Sequence, residues 1–179
     1  MEVKKTDLPG LLIVEPQVFG DKRGFFMETF HKAKFSKFGI NVDFVQENHS
    51  RSIKNTLRGL HFQTGKLAQG KLVRVVLGDV FDVAVDCRKT SPTFGKWVGL
   101  TLSAENHLQM YVPPGFAHGF CVLSDFAELV YLCTNFYSPD HEGGIIWNDP
   151  ALAIPWPVEN PIISNKDKHL PKFSSLANS

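Results

Sequence analysis

Long apolar runs are missing from this chain. No stretch approaches the roughly 20 consecutive apolar residues that cross a bilayer as a helix, so a membrane-spanning helix is excluded. The opening segment, Met1 to Gly10, is charged and leads into no apolar segment of signal-peptide length. Cysteine is scarce: Cys87, Cys121 and Cys133 are odd in number and form no CxxC pair. A disulfide framework is therefore not expected, and thiols inside apolar runs read as buried and reduced. An excess of one charge is also absent. Nineteen Lys and Arg stand against eighteen Asp and Glu, a net of +1, which gives no electrostatic reason for nucleic acid or an anionic membrane as partner. A small anionic substrate stays open, because a pocket needs only a few local cations. There is no internal repeat, no low-complexity tract and no linker rich in Pro, Gly or Ser. The expectation is a single domain over residues 1–179, working in the cytoplasm.

What is present points to strands. The chain is long enough to bury a core, and its 43% hydrophobic and 21% charged residues are ordinary globular values. Fifteen phenylalanines are spread from Phe19 to Phe173, and aromatic and β-branched residues favour strands. Strands are expected at Phe25–Phe30, Phe44–Asn48, Leu57–Gln63, Lys71–Leu77, Val80–Asp86, Trp97–Leu102, His107–Val112, His118–Leu123 and Ala127–Asn135. A polar, helical turn is expected around Lys32–Phe38. Gly78-Asp79 has the form of a two-residue hairpin turn. Many short strands with close turns predict an all-β sandwich or barrel. Pro150, Pro155, Pro157, Pro161 and Pro171 break up the last third, which reads as an irregular tail with room for a short helix.

Several polar side chains exceed what a plain barrel needs. His61 lies mid-strand between Leu60 and Phe62, and alternation puts it on the opposite face from both. It is either a hydrogen-bonded core residue or a reacting group. Lys71 shares a strand face with Val73, Val75 and Leu77; it either snorkels to water or stands in a pocket. Arg58 has the opposite parity to His61, so the two line one pocket only if the strand twists or bulges, and Gly59 is the place for it. Otherwise Arg58 is exposed. Tyr131, between Leu129 and Cys133, is an ordinary strand residue on its flanks alone, and His118 an ordinary satisfied histidine. Metal binding is not expected. Barrels of this kind hold metals through two His separated by one residue plus a carboxylate, but Gln63 follows His61 at that spacing and the Lys71 ammonium would repel a cation.

Ordered segments carry a resemblance. They are Asp21-Lys22-Arg23-Gly24-Phe25-Phe26, Gln46-Glu47-Asn48-His49-Ser50, Leu57–Gln63, Gln69–Arg74, Phe81–Arg88, Ser91–Gly95, Pro113–Phe120 and Trp147-Asn148-Asp149-Pro150. In order and spacing the chain resembles the dTDP-4-dehydrorhamnose 3,5-epimerase family, within the cupins. The resemblance implies a jelly-roll barrel, no cofactor or metal, and a homodimer. It implies action on dTDP-4-dehydro-6-deoxy-D-glucose, with inversion at C5 and C3 on either side of the C4 ketone.

The same resemblance assigns roles. His61 matches the base, Asp167 the carboxylate that orients it, Lys71 the group at the enolate oxygen, and Tyr131 the acid on the opposite ring face. Arg23 and Arg58 match phosphate contacts. Phe25 or Phe26 is expected near the thymine, with Glu28 at its edge, in an N-terminal segment that reaches into the neighbouring subunit. Gln46 and Asn48 match residues that bond sugar and base; His118, Glu142 and Lys166 match further substrate contacts. From charge alone Glu142 and Lys166 read as solvated. The family varies in length between Pro157 and Ser164, just ahead of Lys166 and Asp167. Three other readings share this frame: an epimerase acting at C3 only, a sugar-nucleotide-binding barrel without catalysis, and a metal-dependent cupin oxygenase.

Overall fold

The computed structural model describes residues 1–177. The strands are β1 (Glu2–Lys5), β2 (Leu12–Glu15), β3 (Val18–Asp21), β4 (Gly24–Met27), β5 (Gln46–Ile53), β6 (Leu57–Gln63) and β7 (Lys71–Leu77). They continue as β8 (Asp79–Asp86), β9 (Trp97–Ser103), β10 (Gln109–Val112), β11 (Phe116–Val122), β12 (Phe126–Cys133) and β13 (Glu142–Gly144). Three short helices are added, α1 (Lys32–Ser36), α2 (Asn165–Lys168) and α3 (Phe173–Ala177).

Two antiparallel sheets face each other, ordered β1-β2-β10-β7-β12-β5 and β13-β6-β11-β8-β9. This is the all-β, cupin-type jelly roll. Each core strand sends alternate side chains inward, and Val73, Val75, Val80, Ala84, Phe116, Phe120, Val122 and Leu129 meet between the sheets. Full burial of one such Val, Leu or Phe contributes about 1.5–3 kcal/mol relative to exposure. The hairpin β3–β4 stands apart as a two-stranded sheet of its own.

Three sequence expectations need correction. Gly78-Asp79 is not a hairpin: β7 lies between β10 and β12, whereas β8 lies between β11 and β9 in the other sheet. Gly78, at φ +72°, instead turns the corner between sheets, where a Cβ would come within 2.0 Å of the Phe126 carbonyl oxygen. Strand β4 ends at Met27 rather than at Phe30, because Phe30 turns away to pack edge-on against Phe35 and Phe44. Strand β5 starts and ends later than Phe44–Asn48. It runs to Ile53 with Gln46, Asn48, Ser50 and Ser52 alternating with exposed Glu47, His49, Arg51 and Ile53. The tail is irregular, as expected, and straps onto the barrel through a Thr56–Ile162 bridge. Cys87, Cys121 and Cys133 are free thiols, the last two buried as expected and Cys87 only half-buried; burial pushes Cys87 up to about 12 and Cys121 up to about 11.

Gly59 is the bulge. Opposite β11, His61 pairs with His118 and Arg58 with Phe120, so β6 fits one extra residue between those two pairs. Its φ is +115°, and a Cβ there would stand 2.5 Å from Gly119 Cα and 2.7 Å from the His118 carbonyl oxygen. Gly59→Ala is therefore expected to lower stability by about 2 kcal/mol, from φ strain and backbone displacement. Urea unfolding monitored by circular dichroism checks this, and an unchanged midpoint would argue against the bulge.

Candidate active site

Directly paired residues of an antiparallel sheet present their side chains on one face. Asn48 pairs with Tyr131, and Gln46 with Cys133; Tyr131 pairs on with Val73, and Cys133 with Lys71. One rung thus holds Gln46, Cys133 and Lys71, and the next Asn48, Tyr131 and Val73. From the facing sheet the Gly59 bulge turns both Arg58 and His61 toward these rungs. Together they line a cavity of about 630 Å³ with Lys71, His118, Tyr131, Lys166 and Asp167. A smaller cavity of about 230 Å³ adjoins it, lined by Gln46, Asn48, Gln63, Gln69, Tyr137 and Glu142. His61, Lys71 and Tyr131 line both, so the two spaces meet at this trio.

Asp167 reaches His61 because helix α2 is capped at Ser164, whose hydroxyl accepts the Asp167 N–H at 3.1 Å. His61 Nε2 lies 2.7 Å from Asp167 Oδ1, and the Gly59 N–H donates to Oδ2 at 3.2 Å. Burial raises the Asp167 pKa, but the bonds from His61, Gly59 and Ser164 outweigh it and hold the carboxyl below its ordinary value. An ionised carboxylate only accepts, so Nε2 carries the proton and Nδ1 is the other, basic nitrogen. Burial lowers the Lys71 pKa, opposed by Cys133, Asp82 and Glu142. The ammonium stands 6.0 Å from the Tyr131 ring centre. Burial and Cys133 raise the Tyr131 phenol against the opposing charge of Arg58, which keeps it a proton carrier.

Around this trio, Arg58 Nε donates to Ser52 Oγ at 3.0 Å. Glu142 accepts from Tyr137 Oη at 2.8 Å and from Lys166 Nζ, so neither charge is merely solvated. Gln46 bonds Asn48 at 3.0 Å. His118 lies in β11, with Nε2 at 2.9 Å and 3.1 Å from the two oxygens of Asp82. Arg23, Phe26 and Glu28 are not brought here in their own chain. Arg23 pairs with Asp21 at 2.6 Å and Glu28 with Lys34 at 2.7 Å, and Phe26 is 68% exposed on the detached hairpin. Among the described residues no three His, Cys, Asp or Glu group so as to hold a metal ion.

The sequence reading missed Tyr137, Ser52 and Asp82. Asp82 had a signal, since it shares strand parity with Val80 and Ala84, and a carboxylate on a core face needs a partner. Tyr137 had none, because it lies outside any periodic element.

A histidine backed by a carboxylate, a cation and a phenol around one cavity equips a cupin-type barrel for acid–base chemistry. Comparison with known proteins narrows this. A family model described as dTDP-4-dehydrorhamnose 3,5-epimerase matches residues 5–175. The chain is 61% identical over 174 residues to the dTDP-4-dehydrorhamnose 3,5-epimerase of Shigella flexneri, covering 97% of this chain and 96% of that relative. A crystal structure of dTDP-6-deoxy-D-glucose-3,5-epimerase from Legionella pneumophila, in complex with dTDP-4-keto-L-rhamnose, superposes with a TM-score of 0.93 at 48% identity, covering 97% and 93% of the two chains. A 3'-monoepimerase from Streptomyces bikiniensis, in complex with dTDP-quinovose, gives 0.91 at 33% identity, covering 97% and 88%. The chain belongs to the dTDP-4-dehydrorhamnose 3,5-epimerase family.

Proposed function

We propose that this enzyme inverts C5 and C3 of dTDP-4-dehydro-6-deoxy-D-glucose to give dTDP-4-dehydro-L-rhamnose. The observation that carries the reading is the meeting of His61, Lys71 and Tyr131 where the two cavities join. A C–H beside a ketone is acidic because its anion delocalises onto the carbonyl oxygen as an enolate. His61 Nδ1 removes that proton, and Asp167 fixes the tautomer and stabilises the imidazolium, as the carboxylate of a hydrolase triad does. Lys71 holds the enolate oxygen, a contribution of about 3 kcal/mol on the scale of one oxyanion-hole donor. Tyr131 returns a proton from the opposite face, which inversion requires.

Arg58, steadied by Ser52, takes a phosphate oxygen; its planar fork suits phosphate. Gln46, Asn48, Glu142 and Lys166 hold the rest of the ligand. The β3–β4 hairpin delivers Arg23, Phe26 and Glu28 to the cavity of a second copy. Its detachment from both sheets and the exposure of Phe19, Phe25 and Phe26 support this homodimer. Sedimentation velocity is expected to show a dimer, and a fully active monomer would refute the exchange. The whole chain works as one domain, in the cytoplasm and without metal.

Proton NMR of the keto sugar nucleotide with enzyme in D2O, chelator present, tests the reading. Deuterium at both C3 and C5 is expected. Exchange at C3 alone would select a 3-epimerase, the activity of the Streptomyces monoepimerase that shares the fold. No exchange would leave a binding barrel, and activity lost to chelator and restored by metal would overturn the chemistry.

A further inference from the structure

A second histidine–carboxylate pair lies beside the first. His118 and His61 are register partners on β11 and β6, and His118 lines the larger cavity. Its partner Asp82 is 0% exposed, its strand neighbours Val80 and Ala84 belonging to the apolar core with Phe120, opposite it on β11. Both Asp82 oxygens face His118 Nε2, at 2.9 Å and 3.1 Å. Taking a carboxylate out of water into such a core is costly unless it is paired, and apolar side chains would fill the same space without that cost.

The pairing fixes the imidazole. A carboxylate accepts, so Nε2 is the donor and Nδ1 is left with its lone pair. His118 Nδ1 has no hydrogen-bond partner among the described residues. It is not among the buried side-chain polar atoms without a partner, which are Ser50 Oγ and Gln109 Oε1. It is therefore reached by solvent, and the space in contact with His118 is the cavity. We propose that Asp82 is a positioning residue that locks His118 in the tautomer whose Nδ1 accepts a hydrogen bond from a ring hydroxyl of the keto sugar. The inference rests on the epimerase reading and extends it to a residue that acts through His118. In serine hydrolases the matching carboxylate-to-amide change keeps the geometry yet costs about 10⁴ in turnover through the wrong tautomer.

Asp82→Asn tests this, because an amide bonds either tautomer. In wild-type protein, ¹⁵N NMR of the histidine rings is expected to show His118 with Nε2 protonated and Nδ1 bare. In Asp82→Asn the Nδ1-protonated form is expected to appear, with kcat at least about tenfold lower and dTDP affinity within about threefold, a reduced scale of the hydrolase effect. A core staple alone would move the melting temperature and leave kcat in place, and that result overturns the proposal. So does a protonated Nδ1 in wild type. If Asp82→Asn does not fold, His118→Gln keeps a group in reach of Asp82 but offers none at Nδ1; it is expected to lose kcat, and full activity overturns the proposal. Wild type without exchange at C3 or C5 would sink the epimerase reading instead, with the tautomer spectrum still deciding the role of Asp82.

Discussion

Replacing His61 with Asn is expected to lower turnover at least about 100-fold, the lower end for loss of a general base. Binding of dTDP should stay within about tenfold, or about 1.4 kcal/mol. The separation follows from the layout. His61 stands where the two cavities meet, whereas Arg58, Gln46 and Asn48 approach from β6 and β5 with hydrogen bonds of their own to Ser52 and to one another. Loss of His61 leaves those contacts intact and removes the one imidazole whose proton is fixed on Nε2 by Asp167. Single-turnover rates and dTDP calorimetry on the variant check both halves. Retained turnover would move the base elsewhere, and His118 is the other imidazole that lines the larger cavity.

The same pair leaves a mark on stability. The folded-state pKa of Asp167 is lowered, so its contribution is present above the ordinary carboxyl value near 3.9 and is lost as pH falls through the lower folded value. The destabilisation of His61→Asn relative to wild type should therefore shrink between pH 7 and strongly acid solution. Urea unfolding across that range measures it, and a difference that stays constant would mean the pair adds no stability of its own.

Alternation made the barrel legible. Leu57–Gln63 and Lys71–Leu77 form as read, because each is a short run rich in apolar residues with a turn residue beyond its end. The irregularity at Gly59 was legible as a condition, since Arg58 and His61 share a pocket only through a twist or a bulge; that it is a bulge follows from the pairing with β11. The Gly78 corner was not. A two-residue Gly-Asp turn looks the same locally whether the chain folds back or crosses to the other sheet. The outcome depends on β10 and β12 having taken both edges of β7, a long-range competition. The polar inner face of β5 was hidden for a related reason: Gln46, Asn48, Ser50 and Ser52 look like a solvated face until Tyr131 and Leu129 are set opposite them. Lys71 stood out because it shares a strand face with Val73, Val75 and Leu77, and His61 because a mid-strand imidazole is either a bonded core residue or a reacting group, whereas Tyr131 read as an ordinary strand residue until family likeness gave it a role. Asp167 came from family likeness alone, as a tail carboxylate whose partner lies 106 residues away.

Tyr131→Phe is expected to separate the two halves of the reaction. The phenol lines both cavities and its oxygen is not among the buried side-chain atoms left without a partner. Removing it keeps the ring's packing against the core and should cost little stability. His61 and Lys71 remain, so a proton can still be taken and the enolate still held. In D2O the His61 imidazolium exchanges with solvent and returns deuterium to the face from which the proton left. Label should therefore enter at C5 with the original configuration, while inversion at C5 falls at least about 100-fold, the lower range for a lost proton donor. In His61→Asn, by contrast, exchange and inversion should stop together. Proton NMR distinguishes the two outcomes, because the C5 epimers differ in their ring couplings. If Tyr131→Phe inverts C5 at close to the wild-type rate, Tyr131 is a packing residue, as its flanks Leu129 and Cys133 suggest. The proton on that face would then have to come from another donor or from water.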